Sequence, residues 1–398
     1  MFEQEVSVSP YNFIHEIKDG ISLSDKITVY DSTLRDGEQM PGVSFKIQDK
    51  ITIARKLDDI GVPQIEAGFP AVSAQEKQAV SAVKSQGFSA DILALSRLKR
   101  EDIDTCLDCD IDMILLFIAS SEIHLKYKLR MTEDEVIEKT GEMVQYAKDH
   151  GLKTSFSTED STRTELGFLK KINKCAEEHG ADRIGLTDTV GCISPEGMKY
   201  LAKEIKSSIN TPFSIHLHND FGLACANALV GVQNGASAVT TTVNGIGERA
   251  GNLPLEEFVV ALKVLYDYDV GVDFSQLKEL SDLVAKISKI KVSKNKPLMG
   301  QHAFSHESGI HVAATLTCPM TYEAIPPEFV GGKRKLVLGK HSGKTVVKDR
   351  LEEKGISASD KQICDILREI KVIGEEKGRV SSKKFWEIVK SQIKDQLM

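Results

Sequence analysis

The sequence predicts an α/β protein built on a closed TIM (β/α)8 barrel, followed by a linker and a small helical C-terminal domain. Short apolar runs of β character recur eight times over about 240 residues, amphipathic stretches of helical period separate them, and nearly every run finishes in polar or reactive residues. A doubly wound open sheet would also gather ligands at strand ends, but eight similar units without a switch in pattern point to closure.

The runs, in order, are ITVYDSTL from 27, PQIEAGF from 63, DILALS from 91, DMILLFIA from 112, KTSFSTED from 153, DRIGLTDT from 182, FSIHLHND from 213 and SAVTTTVNG from 237. Segments 47–60, 132–150, 166–179 and 195–208 show helical periodicity, several with Asp, Thr or Pro near the start and Gly after the end. The runs close in RDGEQ, AGFP, FSTED, TDTVG, HLHND and NGIGERAGN, which a barrel brings to one face. The barrel is expected over 25–290 after a short extension, 1–24. Beyond 290 strand periodicity stops; 291–345 reads as a linker acting as a lid, and 346–398 as a helical subdomain with helices near 343–354, 359–376 and 382–396.

At 398 residues the chain exceeds the roughly 250 to 300 at which a single core stops growing, so one large domain with an appendage is expected. A net charge of −7 argues against nucleic acid or an anionic membrane as partner. The N-terminus has neither a basic nor an apolar targeting region, and no apolar window approaches 18 residues, so a cytoplasmic protein is expected. Seven scattered cysteines make no disulfide framework. Cys106 and Cys109 form a lone CxxC on one helix face, which reads as packing.

Chemistry concentrates at the strand ends. In DSTLRDGEQMPGVSF, 31–45, a strand read over Ile27–Leu34 runs into Arg35, Asp36, Glu38 and Gln39. His216 and His218 alternate on strand seven and so point the same way, an arrangement suited to a divalent metal, with Asp36 on nearby strand one as the obvious carboxylate. In NGIGERAGN, 244–252, glycines turn the backbone tightly and deliver Glu248 and Asn252; an Asn252 amide oxygen would complete a mixed nitrogen and oxygen shell. LGKHSGKT, 338–345, imitates a phosphate loop but is one residue short between its glycines. The nearby Lys333, Arg334, Lys335, Lys340 and Lys344 read as solvated. His306 and His311 lie in FSHESGIH, candidates for acid–base work delivered by a lid.

DSTLRDGEQMPGVSF, HLHNDFGLACANALVGVQNGASAVTTTVNGIGERAGN and HESGIHVAATLTCPMTYEAIPPEFVGGKRKLVLGKHSG resemble the 2-isopropylmalate synthase and homocitrate synthase family over about residues 25–345. VSPYN, IEAGFPAVS and HLKYKLRMT look most like the short archaeal homocitrate synthases of the methanogen coenzyme B pathway. The resemblance implies a TIM barrel with a linker domain in a domain-swapped homodimer, the linker of one subunit covering its partner's barrel mouth. It implies a Claisen condensation of acetyl-CoA with 2-oxoglutarate or its longer homologues, followed by thioester hydrolysis. A divalent ion, Mg, Mn or Zn, would be held by Asp36, His216, His218 and Asn252. Arg35 would stabilise the developing alkoxide; Glu248, His311 and Tyr322 would serve proton transfer; Arg35, Gln39, Ser157, Glu159 and Thr189 would bind the oxo acid.

Two departures bear on the substrate. Lysine-pathway homocitrate synthases usually read REGEQ where this chain reads RDGEQ, as isopropylmalate synthases and the methanogen-type homocitrate synthases do, so the motif does not select the oxo acid. The chain also ends too soon for the C-terminal regulatory domain of long isopropylmalate synthases, so leucine feedback of that kind is not expected. Isopropylmalate synthase, acting on 2-oxoisovalerate, and citramalate synthase, acting on pyruvate, remain alternatives. Hydroxymethylglutaryl-CoA lyase is a remote one, since it lacks the linker carrying SGIH and TYE. A dicarboxylic substrate needs a cation at the far end of its pocket; His124, Lys126, Lys128 and Arg130 follow strand four.

Overall fold

The computed structural model describes residues 6–393. They form two compact units, one spanning Pro10–Lys291 and the other running from Val292 onward together with the segment before Pro10. In the first, parallel strands close into a barrel in chain order: β1 (Thr28–Asp31), β2 (Gln64–Gly68), β3 (Asp91–Arg97), β4 (Met113–Ala119), β5 (Lys153–Glu159), β6 (Arg183–Asp188), β7 (Phe213–Leu217) and β8 (Ala236–Thr241). Closure is made by β8 on β1, with Thr28 opposite Ala238 and Asp31 opposite Thr241. The longer helices are α1 (Ile47–Asp59), α2 (Ala74–Lys84), α3 (Arg100–Leu107), α4 (Glu133–Asp149), α5 (Leu166–Glu178), α6 (Pro195–Lys206), α7 (Ala224–Gln233), α8 (Leu255–Tyr266) and α9 (Leu277–Ser288).

The strands are buried on both faces, as parallel strands must be when helices wrap them. Ile92, Ile114 and Phe156 are buried on one face, while Leu93, Met113, Leu115, Tyr30 and Ala238 pack together inside the barrel. The helices start where the sequence supplies oxygen caps. Thr132 and Glu135 form a reciprocal capping box at α4, and Ser194 caps α6 ahead of Pro195, whose fixed φ suits the first helical position. Cys106 and Cys109 are buried, and burial pushes the Cys106 thiol up to about 12, as expected of packing residues.

Strand one is shorter than its apolar pattern. β1 stops at Asp31 because the next carbonyl, Ser32 O, accepts from the amides of Arg35, Asp36 and Gly37 at 3.1, 2.9 and 3.0 Å, coiling residues 32–37 into a turn. That turn points Arg35 and Asp36 into the barrel mouth.

In the second unit β9 (Ser305–His306) and β10 (Lys335–Leu336) pair in parallel beside α10 (Gly309–Thr317), α11 (Lys344–Glu352), α12 (Asp360–Lys377) and α13 (Ser382–Gln392). Val312 and Leu338, from the segment read as a linker, share one core with Val346, Ile366, Ile370 and Phe385. The phosphate-loop lookalike is a packing device: Gly309 N donates to His341 O at 2.9 Å, and a Cβ on Gly309 would fall 2.8 Å from Gly343 Cα. Among the described residues no helix is long and apolar enough to cross a membrane.

Candidate active site

The carboxyl ends of the strands surround a cavity of about 330 Å³ lined by Arg35, Asp36, Gln39, Ser157, Glu159, Thr189, His216, His218 and Glu248, among others. Ten of the side chains singled out in the sequence, Lys128 included, therefore meet in one place. At the centre Asp36, His216 and His218 offer ligand atoms that all lie within 4.8 Å of one another. The two Nε2 atoms face each other at 3.2 Å, and Asp36 Oδ2 stands 3.3 Å from that of His216 and 3.9 Å from that of His218.

Two lone-pair nitrogens and a carboxylate turned towards one point repel each other unless a cation or shared protons lie between them. Burial and the neighbouring His216 press the His218 imidazole down to about 4, keeping it neutral. Burial opposes the charge on Asp36, yet Arg35 and the two imidazoles together hold its carboxyl well below the usual range.

Asn252 reaches the cluster through a fold-back that only the tertiary structure makes. After β8 the chain turns at Asn244, in the left-handed region with φ 61°, and returns so that Asn252 bridges His218 in antiparallel sense. Gly247 makes room, since a Cβ there would fall 2.1 Å from Asn252 Nδ2. The amide presents Nδ2 to Asp36 Oδ1 at 3.1 Å rather than the oxygen expected of a ligand; its Oδ1 is buried without a hydrogen-bond partner, and a half-turn of the amide would exchange the two. The buried His218 Nδ1 likewise has no partner. A carboxylate, two imidazoles and an unsatisfied amide oxygen suit a divalent cation of borderline character.

Arg35 is fixed from below. Its Nε and Nη2 donate to Glu66 Oε1 and Oε2 at 2.6 and 3.0 Å, and Nη1 donates to Asp36 Oδ2 at 2.7 Å. Glu66 is fully buried and also accepts from Ser32 Oγ at 2.5 Å, so the guanidinium plane is clamped bidentately. Sequence reasoning missed Glu66; the available signal was a lone carboxylate inside the apolar run PQIEAGF. It also missed Arg249, which lines the cavity from the left-handed region at φ 54° and donates to Asp220 Oδ1 and Thr189 O at 2.8 and 2.6 Å.

Of the four basic residues after β4, Lys128 lines the cavity, its Nζ 2.7 and 2.5 Å from the Glu159 oxygens. His124 instead lies 3.1 Å from Asp160, and Lys126 sits over the ring of Tyr127. Glu38 is structural: it accepts from Phe45 N at 2.6 Å and pairs at 2.8 Å with Lys50, a fully buried lysine that also holds Glu76.

His311 and Tyr322 belong to the second unit, where their rings stack with centroids 3.9 Å apart and both side chains are exposed. His306 is not free for proton transfer in the same way: its Nε2 lies 3.0 Å from Glu323, which Arg334 grips through two bonds.

Residues 26–284 match the HMGL-like family, and residues 298–378 match the homocitrate synthase post-HMGL domain-like family. The chain is 50% identical to homocitrate synthase AksA of Methanothermobacter thermautotrophicus over 96% of its own length and 97% of that protein's. It is 44% identical to 2-isopropylmalate synthase of Methanocaldococcus jannaschii, covering 96% of itself and 74% of that enzyme. Among solved structures, HMG-CoA lyase of Bacillus subtilis superposes with a TM-score of 0.63 at 19% identity, over 69% of this chain and 98% of that one, a likeness of fold.

Proposed function

The chain belongs to the HMGL-like family and carries the homocitrate synthase post-HMGL domain, and from that premise we propose that it condenses acetyl-CoA with a 2-oxo dicarboxylic acid, 2-oxoglutarate or a longer homologue, releasing CoA and a homocitrate-type product. The observation that carries this reading is the meeting of Asp36, His216 and His218 beside a clamped Arg35 at the barrel mouth. Asp36, His216, His218 and, after an amide turn, Asn252 would hold a divalent ion, Mg, Mn or Zn, which when bound supplies Lewis-acid polarisation of the oxo acid's ketone.

The chain's own groups account for the rest. Gln39, Ser157 and Thr189 line the cavity as donors for the oxo acid's carboxylate, and Glu159 is neutralised there by Lys128. A base removes a proton from the acetyl methyl; Glu248 stands in the cavity for this, and the stacked His311 and Tyr322 are the further candidates. The methyl carbon then bonds to the ketone carbon, and negative charge moves to the ketone oxygen. Arg35, held still by Glu66, is placed to stabilise that charge without reorganising. Water then adds to the thioester, and CoA leaves as a thiol.

The test is thiol release from acetyl-CoA with 2-oxoglutarate, 2-oxoadipate, 2-oxoisovalerate and pyruvate, with and without EDTA. Turnover of the dicarboxylic acids that EDTA suppresses is expected; release with none of the four sinks the synthase reading. The apolar wall of Leu95, Leu115 and Phe117 favours a second reading, 2-oxoisovalerate as acceptor, which the same panel separates. On the domain-swapped homodimer reading, His311 and Tyr322 reach the site from a partner subunit. A mixture of Asp36→Ala and His311→Ala chains, each inactive by itself, should then regain up to about a quarter of wild-type activity; no recovery removes the swap.

A further inference from the structure

Below the cavity the barrel holds a second guanidinium. Arg183, at the start of β6, is only 6% exposed and lies over the ring of Tyr30, its Cζ 4.8 Å from the ring centre. Its Nε donates to Ser155 Oγ at 3.2 Å and its Nη1 to Gln64 Oε1 at 2.8 Å, both uncharged partners, while Nη2 is buried and unpartnered. Arginine keeps its charge in proteins, and a buried cation with no hydrogen-bonded counter-ion is expensive. Glu66 lies close enough to attract it, but both Glu66 oxygens are already committed to Arg35 and Ser32. Burial outweighs the pull of Tyr30, Glu66 and Asp91 and lowers the Arg183 pKa.

Arg183 is not itself among the side chains that line the cavity; it lies against one that does, Tyr30. Tyr30 and Ser157 both line the cavity; Ser155, the register partner of Arg183, stands two residues below Ser157 on the same strand face. On β6 the residue above Arg183 on that face is Gly185, whose missing side chain makes room for the Ser157 hydroxyl, since a Cβ there would fall 2.0 Å from Ser157 Oγ. The adjoining wall of Leu95, Leu115 and Phe117 is apolar and suits methylenes. An elongated ligand with its head at Asp36 and His216 would run along this wall and end beside Arg183.

We infer that Arg183 is a specificity determinant that receives the distal carboxylate of the 2-oxo dicarboxylic acid, with Ser155 and Gln64 orienting its guanidinium from the sides. This rests on the condensation proposed above, and it names the group at the far end of the same site, where Lys128 occupies the rim.

The test compares dicarboxylic acids with counterparts bearing a methyl group in place of the distal carboxylate: 2-oxoglutarate with 2-oxovalerate, and 2-oxoadipate with 2-oxohexanoate. In Arg183→Met, kcat/KM for the dicarboxylic acids should fall about 100-fold, and for the methyl counterparts no more than about threefold. Ser155→Asp, which offers Arg183 a carboxylate from within and needs no loss of a core cation, should show the same selective loss, with weaker 2-oxoadipate binding by calorimetry. If Arg183→Met fails to fold, Ser155→Asp decides by itself. Equal losses on both acid classes overturn the inference and leave the condensation standing. A wild-type enzyme that prefers the methyl counterparts overturns it together with the dicarboxylate reading.

Discussion

Charges at the rim of the barrel and charges buried within its strands are handled in opposite ways. At the rim, Arg35 is held by Glu66 and Asp36, Lys128 by Glu159, Arg163 by Asp160 and Arg249 by Asp220. Within the strands, Arg183 and Asp31 are bonded only to neutral groups: Ser155 and Gln64 for the first, the Thr33 amide and Thr241 hydroxyl for the second. Burial is equally deep for Asp31 and Asp36, yet burial raises the Asp31 carboxyl to about 7 while Arg35 and two imidazoles keep Asp36 ionised. Depth does not decide ionisation; the partner does.

The most severe way to break the contrast is Asp36→Ala, which leaves His216 and His218 facing each other and Arg35 with one carboxylate fewer. Turnover should fall by ~10³-fold or more with the far-ultraviolet dichroism of the barrel retained; unchanged turnover would remove Asp36 from the site. Next comes Glu66→Gln, which keeps the size but removes the charge that clamps Arg35. It should lower kcat by about 100-fold with little change in KM, and a pure KM effect would show that Arg35 acts in binding the ground state.

Lys128→Met should raise KM for the oxo acid about tenfold and leave kcat nearly intact, since the exposed Lys128–Glu159 pair neutralises rather than reacts. The smallest effect is thermodynamic. Because the folded-state pKa of Asp31 lies above its unfolded value, its contribution is fully present below about pH 4 and is lost as pH rises through about 7. Asp31→Asn removes this loss, so denaturant titrations should show the variant losing less stability than wild type between pH 5 and pH 8. An equal pH slope in the two proteins would show that Asp31 ionises freely in the core.

Much of this was legible in the order of residues. The eight runs named the strands because a parallel barrel buries both strand faces, and HxH at 216 and 218 named two inward imidazoles because side chains alternate along a strand. The end of β1 was misread: Thr33 and Leu34 continue the apolar alternation, but Ser32 O collects three amides and coils the chain. Glu66, Arg249 and Arg183 carried no local signal strong enough to select them, because their significance lies in partners 31, 29 and 119 residues away.

The sequence by itself therefore determined the barrel, the end of it that works, and the residue types offered there, since period and strand polarity are local properties of the chain. Only the tertiary structure decided how those groups are used. Barrel closure brings β8 against β1, the loop after β8 folds Asn252 back onto His218, and Glu66 reaches across from β2 to hold Arg35. Each of these depends on contacts distant in sequence, and the strength and ionisation of a buried charge are set by whatever closure places within a few ångströms of it.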